Sequence, residues 1–209
     1  MSTQISYRQE LFRKAIHISS LWMVVAMGLL PKTINILLFG ILLAGCVVTE
    51  YGNYKQWRLF TATYGTFLGS ILREKERQQS AFHLSGAPYV LGAALLCVAC
   101  FPKVVAMTAF TVMLLGDTAA ALIGRKFGKN KFNQGTKSIE GSLAFFWTGY
   151  AVVVFFHFLC QMPFSFALFG ILGVALAMFA EAYENRLHID DNFSIPLTCG
   201  CMLCLSFLF

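Results

Sequence analysis

The residues with most chemistry to offer lie together between Leu115 and Ser142. Asp117 interrupts an otherwise apolar run. Gly124 and Gly128 follow, then Gly135-Thr136-Lys137-Ser138, interleaved with the cations Arg125, Lys126, Lys129, Lys131 and Lys137. Glu140 then stands at the mouth of the next apolar stretch. A carboxylate in an apolar helix costs about 2.5–3.5 kcal/mol on insertion scales, so it must face a partner or water. Here the partner has a clear chemical character. Glycines let backbone N–H groups come close to phosphate oxygens, lysines add point charge, and carboxylates hold a magnesium ion. The set suits a nucleotide polyphosphate with its metal. Asp117 is read as a magnesium ligand or as a base beside a phosphate. The structural alternative is an acid paired with a neighbouring helix.

The loop is not a P-loop. That motif needs four residues between its glycines, then Gly-Lys-Ser/Thr, after a strand. Three residues separate Gly124 from Gly128, Asn130 follows Lys129, and an apolar helix precedes. A basic loop on anionic lipid heads would explain the lysines but leave the glycines and flanking acids without a role. Ser138 is placed to cap a helix whose first turn carries Glu140, and such a helix start is itself an anion site. Glu181, Glu184, Asp190, Asp191 and Asn192 form an acidic patch at the same level, with Asp190 and Asp191 as candidate metal ligands. Glu10, Arg13, Lys14 and His17 are spaced to share one helix face. Glu50 closes an apolar run at similar depth, and either role is open to it.

The elements that must position these groups are membrane helices. Of 209 residues, 57% are hydrophobic and 12% charged, half the usual charged share of a soluble domain. Charge-free runs predict seven spans near 14–30, 33–51, 86–101, 104–123, 141–160, 164–182 and 194–209. Each is long enough, or nearly so, to cross about 30 Å of hydrocarbon. In lipid their backbones must bond internally, so they are helices. Residues 57–72 read as an amphipathic helix lying at the interface. The expected architecture is thus all-α and polytopic, one domain over residues 1–209.

The net charge is +6, and its distribution sets the orientation. With the N-terminus inside, fourteen Lys and Arg fall on one side, and only Lys32 and Lys103 on the other. By the positive-inside rule the crowded side is cytoplasmic, and any polar site lies there. The seven cysteines all lie in predicted spans and read as small apolar residues, not as zinc ligands. His157 reads as a hydrogen-bonded core histidine. No nucleic-acid partner is expected, and oligomeric state is open.

The same residues resemble a known family. Gly116-Asp117, Ala119-Ala120, Gly124, Gly128, Lys131 and the run Gly135-Thr136-Lys137-Ser138-Ile139-Glu140-Gly141-Ser142 resemble the core of the CTP-dependent lipid kinases. These include the dolichol, phytol and CTP-dependent diacylglycerol kinases, distant relatives of phosphatidate cytidylyltransferases. Arg13-Lys14-Ala15-Ile16-His17 resembles the family's opening element, and Asp191-Asn192-Phe193-Ser194-Ile195-Pro196 its closing one. Leu72-Arg73-Glu74-Lys75-Glu76 and Gly86-Ala87-Pro88-Tyr89 resemble its middle. The resemblance implies transfer of the γ-phosphate of CTP to a lipid alcohol, with magnesium held by Asp117, helped by Asp190 or Asp191. Glu140 would hold a second metal or orient the loop. Lys137, with Lys131 and the backbone at Gly124, Gly128, Gly135, Thr136 and Ser138, would neutralise phosphate charge. From their spacing alone, Arg13 and Lys14 are either substrate contacts or part of a salt-bridged interfacial helix end. The base is open between Asp117 and Glu140. It further implies a minimal prokaryotic member in the cell membrane. Two rivals are a cytidylyltransferase, which attacks the α-phosphorus, and a non-enzymatic lipid or anion carrier.

Overall fold

The computed structural model describes residues 7–57, 84–132, 137–184 and 189–208. The described helices are α1 (Tyr7–Ser19), α2 (Leu21–Leu29), α3 (Lys32–Tyr54), α4 (Gly86–Cys100), α5 (Lys103–Phe127), α6 (Ile139–Leu159), α7 (Phe164–Ala182) and α8 (Asp191–Leu205), which ends in a 3-10 turn at Ser206–Leu208. Five of these segments, α3, α5, α6, α7 and α8 with its terminal turn, are long and apolar enough to cross a membrane. α4 is a shorter apolar helix. The interfacial helix expected over 57–72 lies, except for Trp57, outside the described residues.

Two local differences from the expectation have physical causes. The first predicted span is two helices, with a turn at Ser20. The polar half, α1, carries Glu10, Arg13, Lys14 and His17, and the apolar half, α2, carries none of these. Between Phe127 and Ile139 there is also a two-residue antiparallel ladder, β1 (Lys131–Phe132) with β2 (Lys137–Ser138), pairing Lys131 with Ser138 and Phe132 with Lys137. The break between α6 and α7 falls at Gln161-Met162-Pro163 as expected, with Gln161 in the left-handed region at φ 51°.

α5 is the axle of the bundle. In its apolar window 72% is buried, against 17–44% for the other long helices. A helix apolar on all sides belongs inside, and α5 supplies Val105, Ala109, Phe110, Val112, Met113 and Leu114 to the core with no exposure above 0%. Its threonines do not waste polar groups there. Thr108, Thr111 and Thr118 return their hydroxyls to the carbonyls of Val104, Met107 and Leu114, one turn back, at 2.7–2.8 Å. Small residues let neighbours approach, as is usual where lipid removes the hydrophobic drive between helices. A Cβ at Gly116 would stand 3.0 Å from Phe145, and one at Gly149 2.9 Å from Val174. The outward faces of α3, α6 and α7 expose Leu37, Ile41, Trp147, Phe155, Leu168 and Phe179, as a lipid-facing surface should.

Candidate active site

α1, the lower end of α5, the β-hairpin, the end of α7 and the start of α8 converge at one end of the bundle. Asp117 is 8% exposed and has Lys14 as its partner, the ammonium donating to Oδ2. Lys14 is itself buried, at 2%. His17 lies one helical turn further along α1, its Nε2 3.6 Å from the same Asp117 oxygen. Below this pair Glu10, also 2% exposed, is held by Arg13 at 2.6 Å and by Arg125 at 3.3 Å. Burial opposes ionisation of Glu10. The hydrogen bond and charge of Arg13, with Lys14 and Arg125, outweigh it and hold the carboxyl below its usual value.

Across the site, β2 presents Lys137. Its Nζ donates to Glu181 Oε1 at 2.5 Å and lies 3.7 Å from Glu184 Oε2. Burial works against the Lys137 charge, but Glu181, and beyond it Asp191 and Asp117, raise its pKa well above that of an ordinary lysine. One ammonium is thus within electrostatic reach of carboxylates from α5, α7 and α8.

Beside it, oxygens of Glu184, Asp190 and Asp191 lie within 4.8 Å of one another. Asp190 caps α8, its Oδ1 accepting from the Asn192 backbone at 3.0 Å and side-chain amide at 2.7 Å. Three carboxylate oxygens this close together fit a hard divalent ion such as magnesium. Glu184 belongs to this group although the sequence reading did not place it among the metal ligands. Its signal was its position, one helical turn after Glu181, in an acidic patch already noted.

The predicted residues therefore divide. Asp117, Lys14, Lys137, Asp190 and Asp191 are gathered at one place, with Arg13 at its edge. Glu140 and Lys131 are not aimed into it. The Glu140 carboxylate accepts from the Asn130 backbone at 3.1 Å and its amide at 3.0 Å, the loop-orienting alternative for this residue. Lys131 donates to the Gly124 carbonyl at 3.0 Å. Gly135 and Thr136 lie outside the described residues. Ser138 caps α6 as expected, its hydroxyl accepting from the Gly141 N–H at 3.1 Å.

The glycines acquire a reason inside the chain. A Cβ on Gly124 would meet Ser138 Oγ at 3.0 Å, and one on Gly141 would meet the Ala120 carbonyl at 2.8 Å. At Gly128 it would stand 2.2 Å from the Gly124 carbonyl and 2.7 Å from Ser138 Cβ. Gly128 has φ −67°, open to any residue, so space and not dihedral freedom demands glycine there. Gly128→Ala is expected to lose about 1–3 kcal/mol or more, the usual cost of overpacking, and to detach the hairpin that carries Lys137. A thermal melt in detergent unchanged from wild type would contradict this.

With this geometry in place the class of protein is plain: a helical membrane protein with a buried ion-pair cluster, and a partly buried, metal-compatible carboxylate group beside it, at one end of its bundle. No family model matches the chain, and no solved structure matches it. Curated relatives do. An uncharacterized protein of Rickettsia prowazekii (strain Madrid E) is 30% identical over 189 residues, covering 89% of each chain. The CTP-dependent diacylglycerol kinase 1 of Schizosaccharomyces pombe is 26% identical over 238 residues, covering 98% of this chain and 99% of its own. A probable chloroplastic phytol kinase 2 of Oryza sativa subsp. japonica is 34% identical over 90 residues, 40% of this chain and 30% of its own. The chain belongs to the family of the Rickettsia protein, and its homologues with named activities support placing that family among the CTP-dependent lipid kinases.

Proposed function

We propose that residues 1–209 form a single-domain enzyme that transfers the γ-phosphate of CTP to the hydroxyl of a membrane lipid alcohol, diacylglycerol or an isoprenoid alcohol. The observation that carries the reading is the meeting of Asp117, Lys137 and the Glu184–Asp190–Asp191 group, three helices apart in sequence, at one end of an apolar bundle. Full-length similarity to a CTP-dependent diacylglycerol kinase supports both the donor and the acceptor class. The charge asymmetry supports a cytoplasmic position for this end of the bundle, in a prokaryotic cell membrane in this reading.

In the transfer, the lipid hydroxyl oxygen forms a bond to the γ-phosphorus and the bond from that phosphorus to the bridging oxygen breaks. CDP leaves, and the hydroxyl proton passes to a base. Such transfers depend mostly on positioning and electrostatic stabilisation. Lys137 neutralises charge developing on the transferred phosphoryl group and the leaving CDP. Glu184, Asp190 and Asp191 would hold a magnesium ion, which would supply positive charge against the phosphates. Lys14 fixes the Asp117 carboxylate towards the site. Asp117 is the better placed proton acceptor, because Glu140 is committed to Asn130. Arg13 is available to a phosphate at the edge. The lipid enters between helices with its hydroxyl at the interface.

The deciding experiment uses purified protein, magnesium, a panel of lipid alcohols and phosphatidate, and CTP labelled at the α or the γ position. Lipid label from the γ position alone is expected, and the alcohol that carries it names the substrate. Label from the α position would make the enzyme a cytidylyltransferase. No label from either, with any lipid, would return the chain to the carrier reading.

A further inference from the structure

The opposite end of the bundle holds a feature that this reaction does not use. The ends of α2, α3, α4 and α5 line a half-open cavity of about 350 Å³. Met27, Val98 and Ala106 give it apolar walls, and Lys32, Asn35 and Lys103 line it with polar groups. Among the described residues these two lysines are the only Lys or Arg at this end, and its connections at 30–33, 101–103 and 160–164 contain no acid. Among the described residues each ammonium makes one hydrogen bond, Lys32 to the Ala99 carbonyl at 2.9 Å and Lys103 to the Gly28 carbonyl at 3.0 Å. An ammonium has three donors, so two remain on each.

Those two bonds answer carbonyls at the last turns of α4 and α2, where a cation is favourable. Helix capping explains where the amines sit. It does not explain Asn35. That residue is 1% exposed, its amide N–H donates to the Leu30 carbonyl at 3.2 Å, and its Oδ1 has no partner among the described residues. A buried acceptor without a donor is rare and costly. The cavity volume lies within the range of about 300–1,000 Å³ typical of small-molecule sites, far more than a free phosphate fills. Leu29 and Ile34, both exposed, flank this end with apolar surface.

We propose that this cavity is a binding site for an anionic phospholipid. Lys32 and Lys103 take the phosphodiester, Asn35 Oδ1 accepts from a head-group hydroxyl, and one acyl chain runs along Met27, Val98 and Ala106. The occupant is a lipid of the leaflet opposite the candidate active site and is neither donor nor acceptor in the reaction.

The test is native mass spectrometry of the detergent-solubilised full chain with phosphatidylglycerol or phosphatidylcholine. Wild type is expected to retain one phosphatidylglycerol that the Lys32→Gln/Lys103→Gln variant loses, with at least a tenfold weaker apparent affinity. The Lys32→Arg/Lys103→Arg variant retains it. CTP-dependent turnover of all three in detergent stays within twofold, which separates this site from the catalytic reading. Equal retention in the glutamine variant, equal retention of phosphatidylcholine, or displacement of the lipid by equimolar inorganic phosphate would each overturn the proposal. Should the glutamine pair fail to fold, Asn35→Leu decides by the same readout, since it too is expected to lose the lipid.

Discussion

Purified Asp117→Asn is expected to lose about three orders of magnitude in CTP-dependent turnover, the scale seen when one preorganised electrostatic contact to a transition state is removed. The same substitution will also destabilise the protein, and that complicates a simple reading. Asp117 neutralises Lys14, whose side chain is only 3% exposed. Removing one partner of a buried pair costs about 3–5 kcal/mol because the other charge is left uncompensated. The two effects separate in the double variant Lys14→Met/Asp117→Asn. Removing both charges should restore most of the thermal stability in detergent. It should restore none of the turnover, because an amide neither takes a proton from the lipid hydroxyl nor holds a cation as a carboxylate does. Recovery of stability and turnover together would mean that Asp117 only anchors α1 to α5, and the catalytic assignment would fail.

The helices were readable because lipid leaves few alternatives. A charge-free run of the right length must be helical, and α3, α6 and α7 begin and end within about three residues of the expectation. The larger misses share one cause. Boundaries drawn at charged residues cut α5 short, since Arg125 and Lys126 continue it to Phe127. They also joined α1 to α2, because Ser20 carries neither glycine nor proline to announce a turn. The site was legible as a collection and not as a set of pairs. Residue types gave Asp117, Lys14, Lys137 and Asp191, but Lys14 meets Asp117 across 103 residues and Lys137 meets Glu181 across 44. Those choices are made by helix packing. The glycines show the limit most clearly. Gly124, Gly128 and Gly141 signal that something comes close to the backbone. Whether that is a phosphate or the chain's own Ser138 is tertiary information.

Lys137→Met is expected to lower kcat about 10²- to 10³-fold, with KM for CTP changed much less. The argument turns on where Lys137 is held. A lysine that only attracts CTP would sit at the exposed mouth, and its loss would raise KM and leave kcat alone. Lys137 instead is drawn inwards by Glu181 at 2.5 Å and lies 3.7 Å from Glu184, one of the candidate metal ligands. In the proposed transfer its charge is fixed before substrate arrives, beside the place where negative charge would move from the γ-phosphoryl group to CDP, so its benefit would be greatest in the transition state. Lys137→Arg should not rescue fully, because a planar guanidinium does not occupy the position of a compact ammonium. The pH dependence follows from the same pairing. A base whose folded pKa is raised contributes stability in full below the unfolded lysine value, about 10.4, and loses it only as pH climbs through the raised value. Lys137 therefore stays charged throughout the neutral and mildly alkaline range and supplies no basic limb to the rate profile there. A fall in kcat between pH 7 and 9 that disappears in Lys137→Arg would show the ammonium titrating in that window, and the electrostatic role argued for it would be lost.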